Sequence, residues 1–162
     1  MPQNWQILAM IDLDAEDIRI LRALQDNGRM TNAELAETVG MSSSPCWRRV
    51  RRLEADGVIR GYAARLSRRA LGLGVLAYVS VEIADHGEAV TRDFEAAVAD
   101  LDEVIACHQV TGGADYILTV VSRDLDSYAD FANKRLRPIA GIKAISTSFV
   151  LKEAKAQGGL PV

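Results

Sequence analysis

The 162-residue chain predicts an α+β protein, an N-terminal winged helix-turn-helix followed by a βαββαβ, ferredoxin-like domain. Three observations carry this. Two capped helical patterns lead into a basic helix, 41–56, that bears Arg48, Arg49, Arg51 and Arg52. Beyond residue 73 the apolar period changes, and strand-like and helix-like runs follow in the order βαββαβ. The charge divides at the same place: residues 1–69 hold 11 Lys+Arg against 9 Asp+Glu, a net of +2, while residues 70–162 hold 8 against 13, a net of −5. The expected organisation is a winged helix-turn-helix over 11–63, a hinge over 64–73, a ferredoxin-like domain over 74–152 and a tail over 153–162.

Residues 1–10 lack a basic n-region and a small-residue cleavage site, so no signal peptide is expected. They read as a loose extension, with Met10 as an alternative start. No run of about 18 apolar residues exists, so no membrane span is expected. Cys46 and Cys107 stand far apart, which suggests no disulfide framework and fits a reducing cytoplasm.

Asp14 opens the first helix as its N-cap, with Glu16 and Asp17 in the first turn complementing the helix dipole. Ile18, Ile20, Leu21 and Leu24 form its apolar stripe, and Asn27-Gly28 ends it. Thr31-Asn32-Ala33-Glu34 is a capping box for the second helix, which places Leu35, Ala36 and Val39 on one face. Gly40-Met41 is a tight turn. Ser42 caps the basic helix, and Pro45 sits in its first turn, where a missing N–H costs little. At 100° per residue Cys46, Val50 and Leu53 fall within about 60° of each other, an apolar seam, and Ser44, Trp47, Arg48 and Arg51 fall opposite. One face can be buried while the other is cationic and rich in donors, as a helix in a DNA major groove must be. Residues 58–62 read as a strand, giving the wing.

The candidate contacts to double-stranded DNA are Thr31, Asn32, Ser42, Ser43, Ser44, Trp47, Arg48, Arg51 and Arg52. Arg48 and Arg51 either read guanine O6/N7 or clamp phosphates, since each presents a bidentate fork. Trp47 either stacks on sugar or a thymine methyl, or packs against the wing; aromatic burial favours packing. Arg49 borders the seam, so its stem packs and its head reaches towards phosphate. Cys46 reads as a small core residue, with a thiol redox switch as the rival. The net charge of −3 does not oppose DNA binding. A local basic patch acts at short range, and bulk charge is screened beyond roughly 10 Å.

In the second half Val75–Ile83, 104–110, 116–121 and 142–151 read as strands. Glu88–Ala99 reads as a helix, and another runs from a cap at Asp124 or Asp126 through Arg137, ended by Pro138 and Gly141. Two helices cover one face of such a sheet. The other face needs a cover, and a second subunit supplies it economically, which also pairs two reading helices for a palindromic site. The turn Thr111-Gly112-Gly113-Ala114-Asp115 presents backbone N–H groups without Cβ interference and a carboxylate beside them. That suits a free α-amino acid; it is also a common hairpin turn. Thr147 and Ser148 add polar groups or face solvent. Cys107 and His108 are adjacent on a strand and point to opposite faces, a poor metal pair, and no cofactor is expected. No nucleophile–base pair, phosphate loop or paired carboxylates emerge, so the chain does not read as an enzyme.

These residues resemble the Lrp/AsnC, or feast/famine, transcriptional regulators. The resemblance runs through Leu13-Asp14, Asp17, Ile20-Leu21, Leu24-Gln25, Gly28-Arg29, Asn32, Leu35-Ala36, Gly40-Met41-Ser42, Pro45-Cys46, Arg49-Val50, Arg52-Leu53-Glu54, Gly57-Val58-Ile59 and Gly61-Tyr62. It continues in Cys107-His108, Val110, Gly112 and Asp115-Tyr116, similar to that family's effector loop. Pro45-Cys46-Trp47-Arg48-Arg49, Thr147-Ser148-Phe149 and Leu160-Pro161 look most like the cysteine-responsive subgroup. The resemblance implies a winged helix-turn-helix joined to a ferredoxin-like (RAM) effector domain, and dimers that assemble further, commonly into octamers. It also implies a small amino-acid effector, cysteine, leucine or methionine-like, at a subunit interface. The implied effector set is Thr111, Gly112, Gly113, Ala114, Asp115, Tyr116 and Thr147. Ala114 stands where the family often carries an aromatic wall, and Gly113 replaces a commonly larger or acidic residue. A sirohaem-decarboxylase-like enzyme shares this architecture; the intact arginine-rich helix and the presence of only two histidines, His86 and His108, weigh against it.

Overall fold

Helix α1, Ala15–Asp26, begins where Asp14 accepts hydrogen bonds from the N–H groups of Glu16 and Asp17. Asp17 returns the contact to the Asp14 N–H, closing a capping box. Helix α2, Asn32–Val39, starts with the same reciprocal device between Thr31 and Glu34. It ends at Gly40, whose φ of 71° lies in the left-handed region that glycine adopts at no steric cost. Helix α3, Ser43–Ala55, follows at once, with Ser42 at its N-cap and Gly57 beyond its end. The Ser42 side chain makes no cap hydrogen bond. The computed structural model describes residues 11–156 and 158–162, so the expected loose extension over 1–10 lies outside the described residues.

The three helices close over Ile20, Leu21, Leu35, Ala36, Val39, Cys46 and Leu53, all buried. The α3 seam of Cys46, Val50 and Leu53 faces this core, as the helical period requires. Residues 58–62, expected as a strand, form none within the chain. A strand is stable only when paired, and no other strand exists among the described residues of this part. Val58 and Ile59 still pack against the core.

The remaining elements are β1 (Val75–Ile83), α4 (Glu88–Ala99), β2 (Val104–Gln109), β3 (Tyr116–Ser122), α5 (Leu125–Phe131) and β4 (Ile142–Phe149). They form the expected βαββαβ order, and the antiparallel sheet runs β2-β3-β1-β4. Asp124 caps α5 through the Ser127 N–H. A π-helical turn, Ala132–Leu136, carries α5 on towards Pro138.

Side chains alternate across the sheet. Ala77, Val79, Val81, Tyr116, Leu118 and Val120 point inward onto Phe94 and Val98 of α4 and onto Tyr128, Phe131 and Leu136. The register places Tyr78 opposite Thr119 and Ser148, and Ser80 opposite Ile117 and Ser146, so these residues share the outer face. Tyr78 remains 47% exposed there. The described chain divides into two compact units: residues up to Arg65 together with the C-terminal residues from Ala156, and Leu66–Lys155.

Candidate functional site

The four arginines of α3 divide into two pairs with different work. Arg49 turns towards α1. Its Nη1 donates to Asp14 Oδ2 at 2.7 Å and to Asp17 Oδ1 at 2.9 Å, and its Nη2 pairs with Glu16. Arg52 joins from one turn further along, its Nη2 donating to Asp17 Oδ2. Asp17 is fully buried, so its two oxygens depend on these guanidinium groups and on the Asp14 N–H. The Asp17 backbone N–H and the Arg49 guanidinium hold the Asp14 carboxyl below the usual carboxylate range. The three carboxylates raise Arg49 above its already high value. The Arg49 head expected at phosphate is therefore committed within the fold, and Arg52 is drawn from the reading face towards α1.

Arg48 and Arg51 point the other way. Arg48 is exposed and has no ion pair among the described residues. Among the described residues Arg51 reaches only Glu54, at 3.5 Å. Trp47 is 54% exposed, more open than aromatic burial leads one to expect. At 100° per residue it lies between the buried seam and Arg48, too far round for the core to cover it. Ser42, Ser43 and Ser44 are exposed at the start of the same helix. Thr31 is occupied by its cap, its hydroxyl accepting from the Glu34 N–H at 3.3 Å. Asn32 donates from Nδ2 to the Ser43 carbonyl at 3.0 Å, which fixes the start of α2 to the start of α3. A concavity of about 570 Å³ beside the turn is lined by Met41, Ser42, Pro45, Arg48, Arg49 and Arg52, among others. This exposed face offers hydroxyls, two guanidinium groups and an indole, the donor and apolar set that base edges and phosphates take.

The second unit carries a cavity of about 580 Å³ on the outer side of the sheet. Thr111, Gly113 and Ala114 line it from the turn, and Ser80, Glu82, Ile117 and Ser146 line it from the strands. Gly112 has a φ of 122°, and that left-handed backbone shapes the turn. Asp115 serves as the anchor of the turn. Its N–H donates to the Val81 carbonyl at 2.9 Å and its Oδ2 accepts from the Ile83 N–H at 2.8 Å. Its Oδ1 stands 3.7 Å from His86 Nδ1.

Tyr116 and Thr147 lie on the inner face instead. Tyr116 packs on Phe94 at a ring separation of 4.7 Å and donates to Glu95 Oε1 at 2.9 Å. Its burial and that carboxylate push its hydroxyl well above the ordinary tyrosine value. Thr147 hydrogen-bonds the Tyr128 hydroxyl. Ser80, Glu82 and Ser146 were not in the expected set; the signal for them is that they occupy outward positions of two paired strands.

Among the described residues no group of three or more His, Cys, Asp or Glu could hold a metal ion. Cys46 is buried, and burial pushes its thiol up, away from the reactive thiolate.

The chain matches two family descriptions, winged helix-turn-helix DNA-binding over residues 13–60 and Lrp/AsnC ligand binding domain over residues 76–160. It is 40% identical to a Bkd operon transcriptional regulator of Pseudomonas aeruginosa, over 94% of this chain and 100% of that protein. It is also 40% identical to a leucine-responsive regulatory protein of Rhizobium meliloti, over 92% of this chain and 96% of that protein. A crystal structure of a transcriptional regulator from Neisseria meningitidis in complex with L-Met superposes with a TM-score of 0.89. That chain is 41% identical, and the match covers 93% of this chain and 97% of that one. These relatives are named as regulators, which separates the chain from an enzyme on the same architecture. With a helix-turn-helix whose second helix presents a cationic face and a ferredoxin-like unit that matches a ligand-binding domain, the chain belongs to the Lrp/AsnC family of DNA-binding transcriptional regulators.

Proposed function

We propose that the chain binds promoter DNA through Ser42, Ser43, Ser44, Trp47, Arg48 and Arg51, and that a small apolar amino acid in the outer cavity adjusts that binding. The observation that carries the DNA part is the division of α3, which leaves Arg48 and Arg51 outward while Arg49 and Arg52 hold the helix. Thr31 and Asn32 set the pitch of α3 and stand beside the contacts. The exposed indole of Trp47 suits a thymine methyl or a sugar face.

The effector part is supported by the cavity beneath Thr111, Gly113 and Ala114, with hydroxyls at Ser80 and Ser146. The Neisseria relative was crystallised with L-methionine, and two small residues in the turn leave room for a side chain of that size. Leucine, methionine and cysteine are the effectors to test first. Asp115 shapes the turn, and Tyr116 and Thr147 support the strands behind it. The outer face, with Tyr78 exposed at its centre, supports a homodimer through the second unit and further association, up to an octamer. Such a regulator works in the cytoplasm, where its DNA is.

Arg48→Ala and Arg51→Ala are expected to weaken promoter binding while leaving the melting temperature unchanged. A phosphate contact shows as a loss of about 0.9 in the slope of log affinity against log salt for each arginine. A base contact shows as relaxed preference at one position, with about 1–3 kcal/mol lost. Unchanged affinity in both variants, measured by fluorescence anisotropy at moderate salt, contradicts the assignment. For the cavity, Ser146→Leu is expected to abolish the rise in melting temperature that leucine or methionine gives the parent protein. A parent protein whose melting temperature no amino acid moves contradicts the effector reading. Sedimentation should give species of two or more chains, and Tyr78→Glu should shift them towards monomer; a parent protein that is monomeric at all concentrations contradicts the subunit reading.

A further inference from the structure

Among the described residues that line the sheet cavity, Glu82 alone is charged. Asp115, the carboxylate next to the glycine turn in sequence, is not in the wall. It is committed to the fold: its Oδ2 accepts from the Ile83 N–H, and its Oδ1 faces His86. Glu82 has no such duty. Val81 and Ile83 on either side of it are buried, so alternation sends Glu82 outward, to the cavity. Its Oε2 accepts from Lys143 Nζ at 3.0 Å, and its Oε1 has no hydrogen bond among the described residues.

Lys143 reaches Glu82 through an irregularity in the ladder. Glu82 pairs with Ala144 and Ile83 with Ile142, so Lys143 is an extra residue with no partner opposite. Strict alternation would turn it away from the face that Ala144 occupies. A bulge re-aims such a residue, and here its ammonium group arrives beside the carboxylate. Both side chains reach solvent, and such ion pairs are worth little, so another cation can take the place of Lys143.

The turn supplies the opposite polarity. Thr111, Gly113 and Ala114 line the cavity, and their N–H groups have no partner among the described residues. Val110 and Ile117 add apolar surface. One wall thus offers donors to an anion, another a carboxylate to a cation, and the rest suits an apolar side chain.

We propose that Glu82 receives the ammonium group of the effector and that Lys143 is a built-in competitor which the effector displaces. The assignment rests on the effector reading above and names the chemical class the cavity takes. That class is a free α-amino acid, with its ammonium group on Glu82 and its carboxylate at the turn. A deaminated, keto-acid or N-acylated counterpart has no cation for Glu82 and brings a net negative charge beside it, so it is refused twice over.

Titration calorimetry of the full chain with L-leucine, L-methionine and isocaproate, which is leucine without its ammonium group, tests this. The parent protein should bind either amino acid about tenfold more tightly than isocaproate, the worth of one hydrogen bond between charged groups. Glu82→Gln keeps the shape and loses the charge. It should weaken both amino acids by about tenfold and leave isocaproate no weaker, which erases the preference. Lys143→Met removes the competitor and should tighten both amino acids by about threefold. Amino-acid binding in Glu82→Gln as tight as in the parent overturns the assignment and leaves the effector reading standing. A loss in Glu82→Gln that falls equally on isocaproate marks a structural role and also overturns it. Unchanged or weaker amino-acid binding in Lys143→Met overturns the competitor. If the parent binds neither amino acid, the effector reading and the Glu82 assignment fall together.

Discussion

A carboxylate taken out of water must be met on every side, and among the described residues Asp17 is where that requirement is most severe. Its partners come from α3, 32 and 35 residues away. Satisfying it fixes how α3 lies against α1. It also leaves Arg48 and Arg51 as the arginines of α3 that do not pair with α1. The seam of Cys46, Val50 and Leu53 alone would let the helix slide or roll by part of a turn, since apolar contact has no direction. Charge-assisted hydrogen bonds have direction, and those from Arg49 Nη1 to Asp14 and Asp17 set the face that carries Trp47, Arg48 and Arg51. Breaking such a buried pair from one side costs roughly 3 kcal/mol, a large share of the stability of a small domain.

The sheet imposes the corresponding constraint on the other unit. Tyr78, Ser80 and Glu82 on β1 stand opposite Ser148, Ser146 and Ala144 on β4, so Ser80 and Ser146 face each other beneath the glycine turn. Asp115 ties that turn to the end of β1 by its main chain and its side chain. The cavity is thus held between a rigid ladder and a fastened loop, an arrangement that limits the reorganisation a ligand must cause. One face of the sheet is filled by aromatic and aliphatic side chains, and the cavity lies on the other.

Much of this was legible in the sequence because its signals are local. Asp14, Thr31 and Glu34 announce helix starts within four residues of themselves, and Gly40 must sit where the backbone turns left-handed. The βαββαβ order followed from the change of apolar period. What the sequence concealed was non-local. No spacing rule connects Asp17 to Arg49 or Arg52, so the ion pairs that hold α3 to α1 are invisible in the sequence. Residues 58–62 have strand composition, but composition does not supply a partner strand. Thr147 and Ser148 are both polar, so alternation could not say which faces inward; the register does, by setting Thr147 opposite buried Val79. Trp47 was expected to bury because aromatic rings usually do, and its angular position on α3 prevents it.

We propose that Arg49 orients α3 without touching DNA. The most direct measurement is the salt dependence of promoter affinity for Arg49→Ala beside its thermal stability. A lower melting temperature and weaker binding are expected, with the slope of log affinity against log salt unchanged. A slope reduced by about 0.9 with stability intact would place Arg49 on a phosphate and contradict it.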